Sequence, residues 1–138
     1  MGYLHINFLA AVVAAVVAFG LGWLWYSPIL FGKQWVAWNG YTPEKIQVMQ
    51  KGMLKAYGIS FACFLVMSML LAVLMRICHI SAVVAGAKLG FLCWLAFVAT
   101  TGLTASVYSD RSLKAWSLDA GYQLVYLVVM GVILAAWH

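Results

Sequence analysis

Apolar residues along this chain come in long unbroken runs rather than in alternation with polar ones. Charge is absent from Ile6 to Tyr26, from Ala56 to Met75, from Leu89 to Ser109 and from Ala120 to Trp137. A bilayer hydrocarbon core about 30 Å thick takes roughly 20 helical residues to cross, and each run comes close to that length. Lipid offers backbone groups no hydrogen-bond partner, so a single run of this kind must be helical. The lack of period-two alternation excludes a barrel. The pattern predicts an all-α fold: a four-transmembrane-helix bundle with spans at 5–26, 56–76, 86–109 and 117–137, and a single membrane domain over 1–138.

The polar punctuation predicts the connections. Ser27 followed by Pro28 marks a helix boundary, with Ser27 as cap and Pro28 in the first turn of a short interfacial helix running to Trp38. Ile29, Leu30, Phe31, Trp35 and Trp38 would lie in the acyl boundary with Lys33 toward phosphate. Trp23, Trp25 and Tyr26 suit the headgroup level as an aromatic belt. After a turn at Asn39 and Gly40, the run TPEK supplies Thr42 as cap, Pro43 at the first helical position and Glu44 in the first turn. The helix that starts there leads past Lys51 and Lys55 into the second span, with Gly52 and Gly58 as places to bend.

Composition strengthens the membrane reading. Apolar residues make up 67% and charged ones 8%, against about 45–50% and about 25% in soluble domains. The start, MGYLHINFLAAVVAAVVAFGLGW, lacks a basic n-region and reads as a retained span rather than a cleaved signal. The formal charge is +5, but the basic residues stand singly between apolar runs and build no nucleic-acid surface. They set an orientation instead. Lys33, Lys45, Lys51 and Lys55 fall in the first loop, Arg76 and Lys88 in the second, Arg111 and Lys114 in the third. The positive-inside rule then places the first and third loops in the cytoplasm and both termini outside.

Small residues mark the packing faces. Ala10, Ala14, Ala18 and Gly22 recur every four residues on the first span; Gly86 and Gly90, then Gly102 and Ser106, mark the third; Gly131 and Ala135 mark the fourth. Such stripes let helix backbones approach closely in lipid. They fit contacts within the chain or a seam of a homo-oligomer.

Candidate chemistry is sparse. On the fourth span Asp119, Tyr122, Gln123 and Tyr126 share a face, and an intramembrane carboxylate needs a partner, for which Lys33, Arg111 and Lys114 are on the same side. Thr101, Thr104 and Tyr108 line one face of the third span beside Thr100; Tyr57 and Ser60 occur at that depth on the second, and Tyr26 and Ser27 at the end of the first. Together they form a candidate cytoplasm-facing polar pocket. The competing reading is local: hydroxyls bonding their own helix carbonyls, tyrosines in interface belts, and Asp119 near a helix N-terminus. His5, His79 and His138 with Cys78 lie toward the other surface without metal-ligand spacing. Cys63, Cys78 and Cys93 contain no CxxC pair and serve as apolar fillers. No metal and no cofactor is expected. Nucleophile elbows, phosphate loops, HExxH and paired carboxylates are absent, so the reading leans away from an enzyme. The first span also lacks the acid on which small multidrug resistance transporters depend.

GLGWLWYSPILFGKQW near the start, GAKLGFLCWLAFV, and KAWSLDAGYQLVYLVVMGVILAAW near the end together resemble the bacterial membrane family catalogued as domain of unknown function 1761. The resemblance spans nearly the whole chain, and WYSPILFGKQW is its specific element. It implies a small four-span membrane protein and assigns no catalytic residue. The functional expectation is a small bundle working by oligomeric assembly or by binding a small or lipid-like ligand, in contact with membrane lipid. The alternative is a homo-oligomeric transporter or channel for a small solute or ion.

Overall fold

The computed structural model describes residues 6–138, and all regular secondary structure among them is helical. Four helices are long and apolar enough to cross a membrane: α1 (Phe8–Trp25), α4 (Met53–Ile77), α5 (Val83–Tyr108) and α6 (Leu113–Ala136). Two short helices, α2 (Gly32–Asn39) and α3 (Pro43–Lys51), connect α1 to α4. The start expected at residue 5 lies outside the described residues; Asn7 caps α1 by accepting from the Ala10 amide. Elsewhere the spans expected from charge-free runs differ by a few residues. α4 begins at Met53, so it takes in Lys55, whose charge had ended the apolar run.

The first connection departs from expectation. Pro28 does not open a helix, and Ser27 does not cap one. The Ser27 hydroxyl donates backward to the Leu24 carbonyl at 2.7 Å, and the Phe31 and Gly32 amides return to the Trp25 and Ser27 carbonyls at 3.0 and 2.9 Å. These bonds close a tight turn that uses up the residues expected to form the first helical turn, so α2 starts at Gly32. A side chain at Gly32 would overlap the Tyr26 and Ser27 backbone. Gly40, at φ +70°, ends α2 in the left-handed conformation suited to glycine. The next start follows its local chemistry: Thr42 accepts from the Lys45 amide at 3.2 Å with Pro43 in the first turn. The lead helix then breaks at Gly52, while Gly58 lies inside α4.

The long helices pack in the order α4, α1, α6, α5, with α4 touching α6 over only a short stretch. α1 is the thin spacer. Ala10, Ala14 and Ala18 are buried, and so are Ala11 and Ala15 beside them. The missing bulk brings backbone within reach of neighbouring side chains: Ser68 on α4 donates to the Ala11 carbonyl at 2.8 Å, and Tyr122 on α6 donates to the Ala18 carbonyl at 2.6 Å.

α5 meets α6 backbone to backbone. A methyl at Gly86 would overlap the Gly131 carbonyl, one at Gly131 the Gly86 carbonyl, and one at Gly90 the Leu127 carbonyl. These glycines are therefore spent on contacts within the chain. Midway, α5 widens into a π-helical stretch, Trp94–Ala99. In an uninterrupted α-helix Thr101 would sit on nearly the same face as Gly90, since eleven residues make close to three turns. The wider turn rotates the C-terminal part of α5 about the helix axis. Gly102, opposite Trp116, and the buried Ser106 take the α6-facing positions instead.

Candidate functional site

The polar centre forms where α1 ends and α6 begins. Asp119 lies six residues into α6, about 9 Å below its first residue at 1.5 Å per residue. One carboxylate oxygen accepts from the Tyr26 hydroxyl at 2.5 Å. The other pairs with the Arg111 guanidinium, both side chains being largely shielded. Arg111 Nε donates in turn to Asn39 Oδ1 at 3.0 Å, and the Asn39 amide donates to the Trp35 carbonyl at 2.8 Å. A single network thus ties α1, α2 and α6 together, and it gives the half-buried carboxylate an opposite charge on one oxygen and a phenol donor on the other.

Two indoles fix the rotation of α6 around this carboxylate. Trp25, from α1, donates to the Leu118 carbonyl at 3.2 Å, and Trp94, from α5, donates to the Ala120 carbonyl at 2.8 Å. Both acceptors adjoin Asp119 in sequence. Trp94 opens the π-helical stretch, so that irregularity sits where α5 reaches over to hold α6.

Aromatic rings line the space below. Tyr26 and Tyr122 meet edge to face at 5.5 Å between ring centres, Tyr122 and Tyr126 at 4.9 Å, and Tyr126 and Phe64 on α4 at 5.2 Å. Gly22 makes room for the row, since a Cβ there would lie 2.5 Å from the Tyr122 hydroxyl oxygen. Between this row and the first half of α4 lies a cavity of about 950 Å³, open to the surroundings on one side. Arg111, Asp119 and Tyr26 stand at its polar end, Gln123 part-way down, and Phe64 and Met67 at its far end. α4 opens away from α6 here because α1 is the element that holds α4 in place.

Of the residues picked out from sequence, Tyr26, Ser27, Asp119, Tyr122, Gln123 and Tyr126 line this cavity, with Tyr57 and Ser60 on the α4 wall. Thr101, Thr104 and Tyr108 do not join them. They lie exposed on the outer side of α5, with α6 between them and the cavity. The Thr100 and Thr104 hydroxyls donate to the Ala96 and Thr100 carbonyls of their own helix at 2.8 and 2.9 Å. Lys33 and Lys114 are exposed, and Arg111 is the cation that reaches Asp119. Sequence reasoning named Arg111 only as one of three partners and missed Asn39, Trp35, Phe64 and Trp94. The spacing of Arg111 and Asp119, two turns apart across the α6 start, was the available signal for the first. The others are brought in by tertiary packing. His5 lies outside the described residues, and no group of three metal-ligating side chains gathers among those described.

A family model described as "Protein of unknown function (DUF1761)" matches residues 9–135. No curated protein and no solved structure matches the chain.

Proposed function

The chain belongs to the DUF1761 family, and we propose that it is a four-helix membrane bundle that holds a small, lipid-like amphiphile in the cavity between α1, α4 and α6. α2 lies at the membrane interface and the cavity's polar end faces the cytoplasm. The basic residues of the two connections at that end support this orientation; the four apolar helices support a membrane location, for which the bacterial inner membrane is the proposal.

The observation that carries the reading is the cavity itself. Its volume of about 950 Å³ sits at the upper end of ligand sites, commonly about 300–1,000 Å³. Its chemistry is graded, with an ion pair and a phenol at one end and aromatic and aliphatic walls at the other. An amphiphile matches that gradient; a polar solute would leave most of the wall unmatched. The small-residue stripes that favoured an oligomeric transporter lose force as support, because Gly86, Gly90 and Gly131 are occupied within one chain.

Thermal unfolding of the purified protein, measured against a panel of single-chain amphiphiles, tests the reading. Stabilisation of wild type that is reduced in Asp119→Asn and abolished by the cavity-filling Ala56→Trp supports it. A panel that never distinguishes the three proteins removes it.

A further inference from the structure

The cavity has two polar levels, and the deeper one is unpaired. At the upper level Asp119 accepts from Tyr26 and Arg111, while Arg111 spends Nε on Asn39 and Nη2 on Asp119, and Nη1 has no hydrogen-bond partner among the described residues. Four residues further along the same face, about 6 Å deeper, stands Gln123. Its amide lines the cavity and has no hydrogen-bond partner among the described residues. The Tyr126–Phe64 ring contact sets the register of α4 against α6. One turn back on each helix brings Ser60 level with Tyr122 and Gln123. Ser60 also lines the cavity, and its hydroxyl has no hydrogen-bond partner among the described residues, unlike that of Ser68 on the same helix, which donates to the Ala11 carbonyl. Below this level come Phe64 and Met67, and the rim carries exposed Trp23 and Ile59. In the proposed membrane placement this apolar rim faces hydrocarbon, where an unpaired amide is costly.

Resting on the amphiphile reading above, we infer that the ligand is an acyl-linked phospholipid, whose linkage carbonyl accepts from Gln123 and Ser60 one level below its headgroup. The phosphate takes the Nη1 edge of Arg111. The adjoining carboxylate favours a headgroup that carries its own cation, as phosphoethanolamine does. The acyl chain runs down past Cys63 to Phe64 and Met67. Binding the carbonyl removes the desolvation cost of Gln123, so the linkage is the feature the site discriminates.

Tryptophan fluorescence of the full chain in neutral detergent reads this directly, since Trp23 and Trp35 line the cavity. The probes are 1-oleoyl-lysophosphatidylethanolamine and its 1-oleyl ether analogue, which lacks the carbonyl. Wild type binds the ester about tenfold more tightly. Gln123→Leu abolishes the ester preference, so that ester and ether bind it alike, and an unchanged helical circular-dichroism signal shows that the variant is folded. Equal affinities in wild type, or an ester preference that survives Gln123→Leu, overturn the inference. If the two probes bind equally and Ala56→Trp abolishes both, only the linkage assignment falls; if neither binds wild type, the amphiphile reading falls with it.

Discussion

The hydroxyl of Tyr26 donates to Asp119 Oδ1 at 2.5 Å, joining the end of α1 to α6 across 93 positions of sequence. Arg111 holds the second oxygen, so the carboxylate is the hub of the site. Tyr26→Phe removes one donor and is expected to cost about 1 kcal/mol, while Asp119→Ala strands both a guanidinium and a phenol and costs about 1–3 kcal/mol. The double variant costs less than the sum, because the phenol has already lost its acceptor. Reversible unfolding in mixed micelles measures all three, and strict additivity would show that the two groups are not coupled.

Two glycines of α1 separate packing from propensity. A methyl at Gly22 meets the Tyr122 ring, whereas nothing lies within 4 Å of one at Gly20. Gly22→Ala is expected to destabilise by about 1–3 kcal/mol through overpacking, and Gly20→Ala to be neutral or to stabilise by up to about 1 kcal/mol. The same unfolding assay reads both. Similar effects at the two positions would contradict the Tyr122 contact.

Ser68 is fully buried on α4 and donates to the Ala11 carbonyl of α1 at 2.8 Å. Hydrogen bonds between membrane helices average about 0.6 kcal/mol. Ser68→Ala should therefore cost near that value, and Ser68→Leu considerably more, since the alanine face of α1 leaves no room for it. A bulky residue tolerated at 68 would mean that α4 and α1 are not in close contact.

Gly86 and Gly131 face each other's carbonyls. Alanine at either position forces α5 and α6 apart at an expected cost of about 1–3 kcal/mol. The pair of alanines should also cost less than twice one, because the first has already opened the interface. Oligomeric state, measured by light scattering, should be unchanged if these glycines serve only the contact within one chain.

The orientation predicts the reach of a membrane-impermeant thiol reagent. In a background freed of Cys63, Cys78 and Cys93, Lys45→Cys on α3 should react only after the membrane is opened. Labelling of intact cells at this position would reverse the topology and place the cavity's polar end outside.

Hydropathy and capping are local properties, and the elements that depend on them were legible in the sequence. The four long helices follow from charge-free runs near the length of a bilayer, and the start of α3 from Thr42, Pro43 and Glu44. The grouping of Asp119, Tyr122, Gln123 and Tyr126 on one face follows from helical spacing alone. The failure at Pro28 shows the limit even of local rules: the Ser27 hydroxyl could bond backward to a carbonyl or forward to an amide, and the backward bond to Leu24 took precedence over a forward cap.

Small residues marked the inward faces of α1 and of the first part of α5, but the face turned inward by the last turns of α5 was not legible, because the spacing assumed an uninterrupted α-helix. The placement of Thr101, Thr104 and Tyr108 on the outer side of α5 was decided by the Gly86–Gly131 approach and by the π-helical stretch, which rotates the rest of the helix. The choice of Arg111 over Lys33 and Lys114, and the opening of a cavity between α4 and α6, came from α1. Its alanines let both neighbours in close, and its end carries Tyr26 to Asp119. Composition bounded the solvent, and helix spacing the candidate face. Only packing among distant residues fixed the partners, since it depends on the volumes on both sides of each contact at once.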